Sequence, residues 1–159
     1  MIKPSSLRGH LTHALPCLAQ NPDKLHVFMD DGHIECGGGS LSFLYVYTLT
    51  LVVTDWAEHA DTLIVPILAW LSVNQPELLH NHERWADGFT FRAEILNHSS
   101  ADIEIQLKLS ERVGVKNTAG RIDVTHFPEP PLDPYAQVEN WQLFIGSEKV
   151  AEWEQKPNG

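Results

Sequence analysis

The sequence is poor in cysteine and in basic residues. Only two of its 159 residues are cysteine, Cys17 and Cys36, which argues against a disulfide framework and favours synthesis in a reducing cytoplasm. Its 11 Lys and Arg stand against 21 Asp and Glu, which gives a formal net charge of −10. Because the basic residues are scattered singly, no basic stripe can neutralise a row of phosphates. We therefore expect no sequence-specific binding of nucleic acid.

Long apolar runs are also missing. The longest, Leu63 to Leu71, is roughly half of what a bilayer crossing needs, so we expect no transmembrane helix. The opening Met1 to Ser6 has no apolar core of the kind that secretory signals carry. These absences predict a protein without a membrane anchor.

Motifs for catalysis or for cofactor binding are scarce. The sequence has no nucleophile elbow, no HExxH and no paired CxxC. The glycine-rich stretch Gly37 to Ser40 is followed neither by a lysine nor by a helix, so we do not expect it to bind phosphate. The pair Asp31-Gly32 suits a tight hairpin turn better than a carboxylate site. We expect no catalytic residue, no cofactor and no metal.

One cluster keeps an enzymatic alternative open. His80 and His82 form a His-x-His pair, and Glu83 or Asp87 could add a carboxylate oxygen. A small metal-dependent hydrolase is the function that these residues would support. The segment is polar and lacks a third ligand at a recognisable spacing, which favours a solvated loop.

The chain is organised around one long strand followed by a helix. Seven apolar residues on alternate positions predict the strand: Leu41, Phe43, Tyr45, Tyr47, Leu49, Leu51 and Val53. A helical spacing then predicts a buried stripe that includes Leu63, Ile64, Ile67, Leu68 and Leu71. We expect Asp61 or Thr62 to cap this helix and Pro66 to lie in or just after its first turn, or to kink it.

The remaining periodicities define the fold class. An amphipathic helix is predicted from Leu7 to Leu18, and a short strand from Leu25 to Met29 that ends in the Asp31-Gly32 hairpin turn. Alternating patterns predict a hairpin of strands Phe89–Ile95 and Ile103–Leu109. We therefore predict an α+β fold: a mostly antiparallel β-sheet with two helices packed on one face.

The composition changes near the C-terminus. We expect an α+β core domain over residues 1–127, a stiff Pro-rich linker over 128–134 and a C-terminal β-hairpin arm over 135–159. An isolated hairpin is marginal in water and needs a surface to pack on. That surface is either its own sheet or a neighbouring subunit, and we favour the neighbour. The interface residues predicted on the arm are Trp141, Leu143, Phe144, Ile145 and Trp153.

Short motifs along nearly the whole chain resemble one family. They include Lys3-Pro4-Ser5-Ser6-Leu7-Arg8, Val53-Thr54-Asp55, Asn74-Gln75-Pro76, Leu109-Ser110-Glu111-Arg112 and Glu129-Pro130-Pro131. In this order they are similar to the tail completion protein R family of contractile-tailed temperate bacteriophages and prophages.

The resemblance implies a virion structural protein without catalytic residues. It implies a tail-terminator-like fold and a subunit of an oligomeric ring, a hexamer in the assembled tail, at the head-proximal end. The implied partners are further copies of the chain, tail tube and sheath proteins, and head–tail connector proteins. The aromatic residues fit this function, since aromatic anchors supply interface energy. We predict core packing for Trp70 and interfaces for Trp141 and Trp153.

Overall fold

The computed structural model describes residues 1–97, 99–131, 133 and 135–157. Its helices are α1 (Lys3–Ala14), α2 (Pro16–Gln20), α3 (Asp61–Asn74) and α4 (Glu77–His80), with 3₁₀ turns at Pro22–Lys24 and His82–Arg84. Its strands are β1 (Leu25–Cys36), β2 (Phe43–Trp56), β3 (Phe89–Ile95), β4 (Ala101–Thr118), β5 (Arg121–Phe127), β6 (Glu139–Ile145) and β7 (Glu148–Gln155). No helix of these residues is long and apolar enough to cross a membrane.

The main sheet is antiparallel and has the order β1-β2-β4-β3, with β5 pairing the second half of β4 beside β3. Tyr47 lies opposite Leu109 and Leu51 opposite Ile105, so the apolar residues of neighbouring strands share one face. Helices α1 and α3 cover that face. The predicted α+β fold, with two helices on one face of an antiparallel sheet, is confirmed.

The core lies between this sheet face and the helices. Its fully buried side chains are mostly aliphatic: Leu7, Leu11, Leu15, Leu18, Leu49, Leu51, Leu63, Ile67, Leu71, Ile105, Leu107 and Leu109. Trp70 is buried as well, as predicted. Its indole nitrogen donates to Ser6 Oγ of α1 at 3.1 Å, which links the two covering helices.

The first helix is shorter than predicted. α1 ends at Ala14, and Leu15 adopts an extended conformation (φ −115°, ψ 104°) before α2 begins at Pro16. A residue that precedes proline is disfavoured in the helical region, because the proline ring clashes with its backbone. The single helix predicted from Leu7 to Leu18 is therefore wrong, although its leucines are buried.

The turn predicted at Asp31-Gly32 is also wrong. β1 runs on to Cys36, and its pairing with β2 passes from Asp30↔Thr48 to His33↔Val46. Three steps on β1 match two steps on β2, so the strand contains a β-bulge with one extra residue. Asp31, at φ 50°, takes the left-handed conformation that aspartate tolerates there.

Helix α3 buries Leu63, Ile67 and Leu71 of the predicted stripe, but one residue of that stripe is not covered. Ile67, Trp70 and Leu71 are buried, whereas Leu68 is 37% exposed. The predicted caps are wrong too: Ala60 holds the cap position without a side-chain bond. His59 serves instead, since its Nδ1 accepts from the Asp61 N–H at 3.2 Å and its carbonyl accepts from Thr62 Oγ1 at 2.6 Å.

Strand β3 forms as predicted, but its apolar face is largely uncovered. Phe91 is 70% exposed and Ile95 is 80% exposed, although both lie on the side of the sheet that carries the helices. The helix layer covers β2 and β4 and stops short of this edge. The alternating pattern of β3 therefore forms an apolar face that the helices leave largely exposed.

Candidate assembly surfaces

A buried polar cluster around Lys3 connects segments that are far apart along the chain. The Lys3 ammonium Nζ donates to Gln75 Oε1 at 2.7 Å, to the Ser110 carbonyl at 2.7 Å and to Glu129 Oε1 at 2.9 Å. An ammonium has three N–H groups, and each of them has an acceptor here, so the buried charge is fully hydrogen-bonded. The cluster ties α1 to the end of α3, to β4 and to the segment that follows β5.

The carboxylate of Glu111 serves as the N-terminal cap of α1. Glu111 Oε2 accepts from the Ile2 N–H at 2.7 Å, and its Oε1 accepts from the Lys3 N–H at 3.2 Å and the Tyr47 hydroxyl at 2.6 Å. A negative charge there also complements the helix dipole. His126 Nδ1 lies 3.6 Å from Glu111 Oε2. Both carboxylate oxygens accept hydrogen bonds from groups of the same chain. The cluster therefore stabilises the fold.

Burial shifts the pKa values of Lys3 and Tyr47 in this cluster. Desolvation lowers the pKa of the Lys3 ammonium, and the Glu129 and Glu111 carboxylates partly oppose that effect. Burial raises the pKa of the Tyr47 hydroxyl, and its hydrogen bond to Glu111 raises it further. Tyr47 therefore stays protonated as the donor to Glu111 throughout the physiological range.

The histidines of the hydrolase alternative do not converge. His80 Nδ1 lies 2.8 Å from the Pro76 carbonyl of its own helix. The His82 ring packs on Trp85 with a centroid distance of 3.9 Å, and the Asp87 carboxylate pairs with Lys108. Among the described residues, no three His, Cys, Asp or Glu side chains form a group that could hold a metal ion.

The C-terminal hairpin forms as predicted and lies on its own chain. β6 and β7 pair antiparallel, with Trp141 opposite Trp153. Trp153 is 5% exposed, and its ring contacts His10 of α1 at a centroid distance of 5.9 Å. Gln155 Nε2 donates to the Ala69 carbonyl of α3 at 3.1 Å. In this conformation Trp153 contributes to the core beneath the hairpin.

The other predicted interface residues remain more accessible. Trp141 and Phe144 are exposed, and Leu143 and Ile145 are half-buried. The Trp141 indole nitrogen donates to the neighbouring Glu139 at 2.8 Å. Leu132 and Pro134 of the predicted linker lie outside the described residues. The start of the linker is held, because Glu129 binds Lys3 and the Pro128 carbonyl accepts from Arg112.

Sequence reasoning missed the buried polar cluster. One signal was present: Lys3 lies at helical spacing from Leu7 and Leu11, which places it on the buried face of α1. Its partners carried no such signal, since Glu111 and Glu129 are more than 100 residues away along the chain. No local pattern connects residues so far apart.

A family model described as P2 phage tail completion protein R (GpR) matches residues 1–130. The tail completion protein R of Escherichia phage P2 is 44% identical to the chain over 156 residues, which are 98% of this chain and 100% of the relative. No solved structure matches the chain.

These matches define the class: a structural protein of the phage tail, and not an enzyme. Within that class, the chain belongs to the P2 phage tail completion protein R family. The resemblance drawn from the sequence motifs is thereby confirmed, and the hydrolase alternative built on His80 and His82 is wrong. The protein is a component of the virion tail, where other tail components are its neighbours.

Proposed function

We propose that the chain is a subunit of a closed ring that completes the tail at its head-proximal end and allows the tail to join a filled head. The supporting observation is the 44% identity to a tail completion protein over the full length of that relative. Six subunits match the six-fold symmetry of a phage tail. The ring would contact tail tube and sheath proteins on one side and head–tail connector proteins on the other.

The hairpin supplies the contact between subunits in this proposal. Trp141 and Phe144 are exposed aromatic residues of β6, and aromatic anchors dominate the energy of protein interfaces. Trp153 is already buried in its own chain. Trp141 lies opposite Trp153 and so shares the inner face of the hairpin, where it stays 39% exposed, whereas Phe144 lies on the outer face. The surface offered to the next subunit is therefore the outer face of the hairpin together with the accessible part of Trp141.

Complementation of a phage that lacks its tail completion protein tests the proposal. We expect the double variant Trp141→Ala/Phe144→Ala to fold but to leave tails unjoined, because the ring loses its anchors. Phe28→Ala is the control for Phe144, since Phe28 is as exposed as Phe144 and lies on β1, an edge strand of the main sheet and not of the hairpin; it should support normal phage yield.

Two results would contradict the proposal separately. A double variant that completes tails as well as the wild type would remove the hairpin from the interface. Electron microscopy of wild-type particles that shows no ring of this chain at the head-proximal end of the tail would contradict the ring itself.

A further inference from the structure

Strand β3 is an open edge with an apolar groove beside it. The groove has a volume of about 430 Å³ and lies between β3 and α3, where Ile64, Leu68, Phe91 and Ala93 line it. Native proteins commonly protect such an edge with a bulge or a proline. β3 has neither: its register with β4 is regular from Phe89 to Ile95. The other outer edge of the sheet, β1, is interrupted by its bulge.

The outward hydrogen-bonding groups of β3 can be assigned to specific residues. The Lys108 N–H donates to the Gly88 carbonyl at 2.9 Å, so Gly88 and Lys108 form a hydrogen-bonded pair in the β3–β4 ladder. Such pairs alternate along antiparallel strands. Thr90, Arg92 and Glu94 therefore direct their backbone groups towards β4. Phe91, Ala93 and Ile95 direct theirs outward to the open edge.

We propose that two copies of the chain pair through β3, antiparallel and centred on Ala93. Phe91 of each copy then lies opposite Ile95 of the other, and the three outward-facing residues exchange roughly six backbone hydrogen bonds. The two-fold axis is perpendicular to the sheet, so both helix layers lie on the same side. Phe91 and Ile95, exposed in the single chain, cover each other next to the two grooves.

Charge complementarity supports this register. Centring on Ala93 places Arg92 opposite Glu94 of the second copy, and Glu94 opposite Arg92, on the open face of the sheet. Within the described part of the chain, neither side chain takes part in an ion pair. Opposite charges in directly paired positions stabilise antiparallel strands. One seven-residue strand is thus complementary to itself in backbone, apolar and charged groups.

The neighbouring edge strand β5 does not offer the same combination. Its Arg121 already pairs with Asp123 of the same strand at 2.9 Å, so these charges are satisfied within the chain. A two-fold contact does not generate a six-membered cyclic ring, which is built from head-to-tail contacts. The β3 contact is therefore distinct from the ring and belongs to the free subunit before assembly.

Charge reversals on β3 test the pairing by sedimentation over a wide concentration range. The wild type is expected to be a dimer. Arg92→Glu and Glu94→Arg each create like-charged pairs across the two-fold axis and should raise the dimer Kd by about tenfold or more. The double variant R92E/E94R restores opposite charges and should return the Kd towards the wild-type value.

Two further variants complete the test. Ala93→Pro removes an outward N–H without removing a bond to β4, and it should also give monomers. Lys116→Glu, an exposed charge reversal on the distant half of β4, is the matched control and should leave the dimer intact. Circular dichroism melts check that each variant is folded.

Several outcomes would overturn the pairing. A wild-type chain that stays monomeric at its highest soluble concentration would do so, as would a dimer that neither single reversal weakens. A dimer that is insensitive to the β3 variants but lost in Trp141→Ala would assign the contact to the hairpin. Because the assay needs no phage, these results are independent of whether the chain completes tails.

Discussion

At the scale of single residues, Glu111 connects distant parts of the fold. Its carboxylate caps a helix that begins more than 100 residues earlier, and it accepts a hydrogen bond from Tyr47 in the middle of β2. Hydrogen bonds to a charged, buried group are stronger than neutral ones. The fold therefore joins its N-terminus and its central strands through one side chain.

Replacing Tyr47 by Phe tests the hydrogen bond between Tyr47 and Glu111 through the pH dependence of the unfolding free energy. A tyrosine in the unfolded chain ionises near its ordinary pKa of 10.0, whereas burial and Glu111 raise the pKa of Tyr47 in the folded chain. Above pH 10 the folded state therefore binds more protons than the unfolded state, and stability falls as the pH rises. Tyr47→Phe should lack this loss.

The measurement is the free energy of unfolding in denaturant at several pH values from neutral to alkaline. At neutral pH the variant should be less stable by roughly 1.5–3 kcal/mol, because Glu111 loses one donor. Above pH 10 the gap should shrink by up to about 1.4 kcal/mol per pH unit. Parallel curves for the two proteins would show that Tyr47 ionises equally in both states.

At the scale of secondary-structure elements, α3 shows how the helix layer and the sheet meet. One side of the helix packs on the sheet through Leu63, Ile67 and Leu71, and Trp70 reaches across to α1. Leu68 points along the rim of the groove beside β3. The helix therefore has a core face and an adjoining apolar strip that the single chain leaves half open.

Alanine variants of the adjacent residues Ile67 and Leu68 compare the contribution of the core face with that of the apolar strip. Ile67→Ala should cost about 2–5 kcal/mol of unfolding free energy, because it leaves a cavity in the core. Leu68→Ala should cost about 1 kcal/mol or less, since that side chain already contacts solvent. Denaturant melts at a protein concentration below the dimer Kd measure both. Equal losses would mean that Leu68 is as buried as Ile67.

At the scale of the whole molecule, acidity is the dominant property. With 21 acidic and 11 basic residues, the chain repels polyanions at neutral pH. A ring around the path of DNA would gain from this, because a duplex can slide past a surface that does not bind phosphates. The polar segment from His80 to Asp87 is a candidate for that inner surface.

We expect the free protein not to bind duplex DNA at physiological salt. Fluorescence anisotropy with a labelled duplex measures this, and a DNA-binding protein of similar size serves as the positive control. The physical reason is the formal net charge of −10, which repels a polyanion and opposes the counterion release that drives such binding. Tight binding that weakens steeply with added salt would contradict the expectation.

The sequence determined the local elements and the fold class. The alternation from Phe43 to Val53 and the helical spacing from Leu63 to Leu71 are properties of neighbouring residues, so they can be read without knowledge of the rest of the chain. The same holds for the C-terminal hairpin, whose two strands flank a turn at Gly146. Family membership also followed from motifs in the sequence.

The tertiary structure decided which apolar surfaces are buried. Leu68 and Ile67 are equally apolar, and Phe91 alternates as regularly as Tyr47, yet only Ile67 and Tyr47 are covered. Periodicity shows that a face is apolar, whereas its burial depends on how far the helix layer extends over the sheet. The link between Lys3 and Glu129 likewise exists only once the chain has folded, because 126 residues separate them along the sequence.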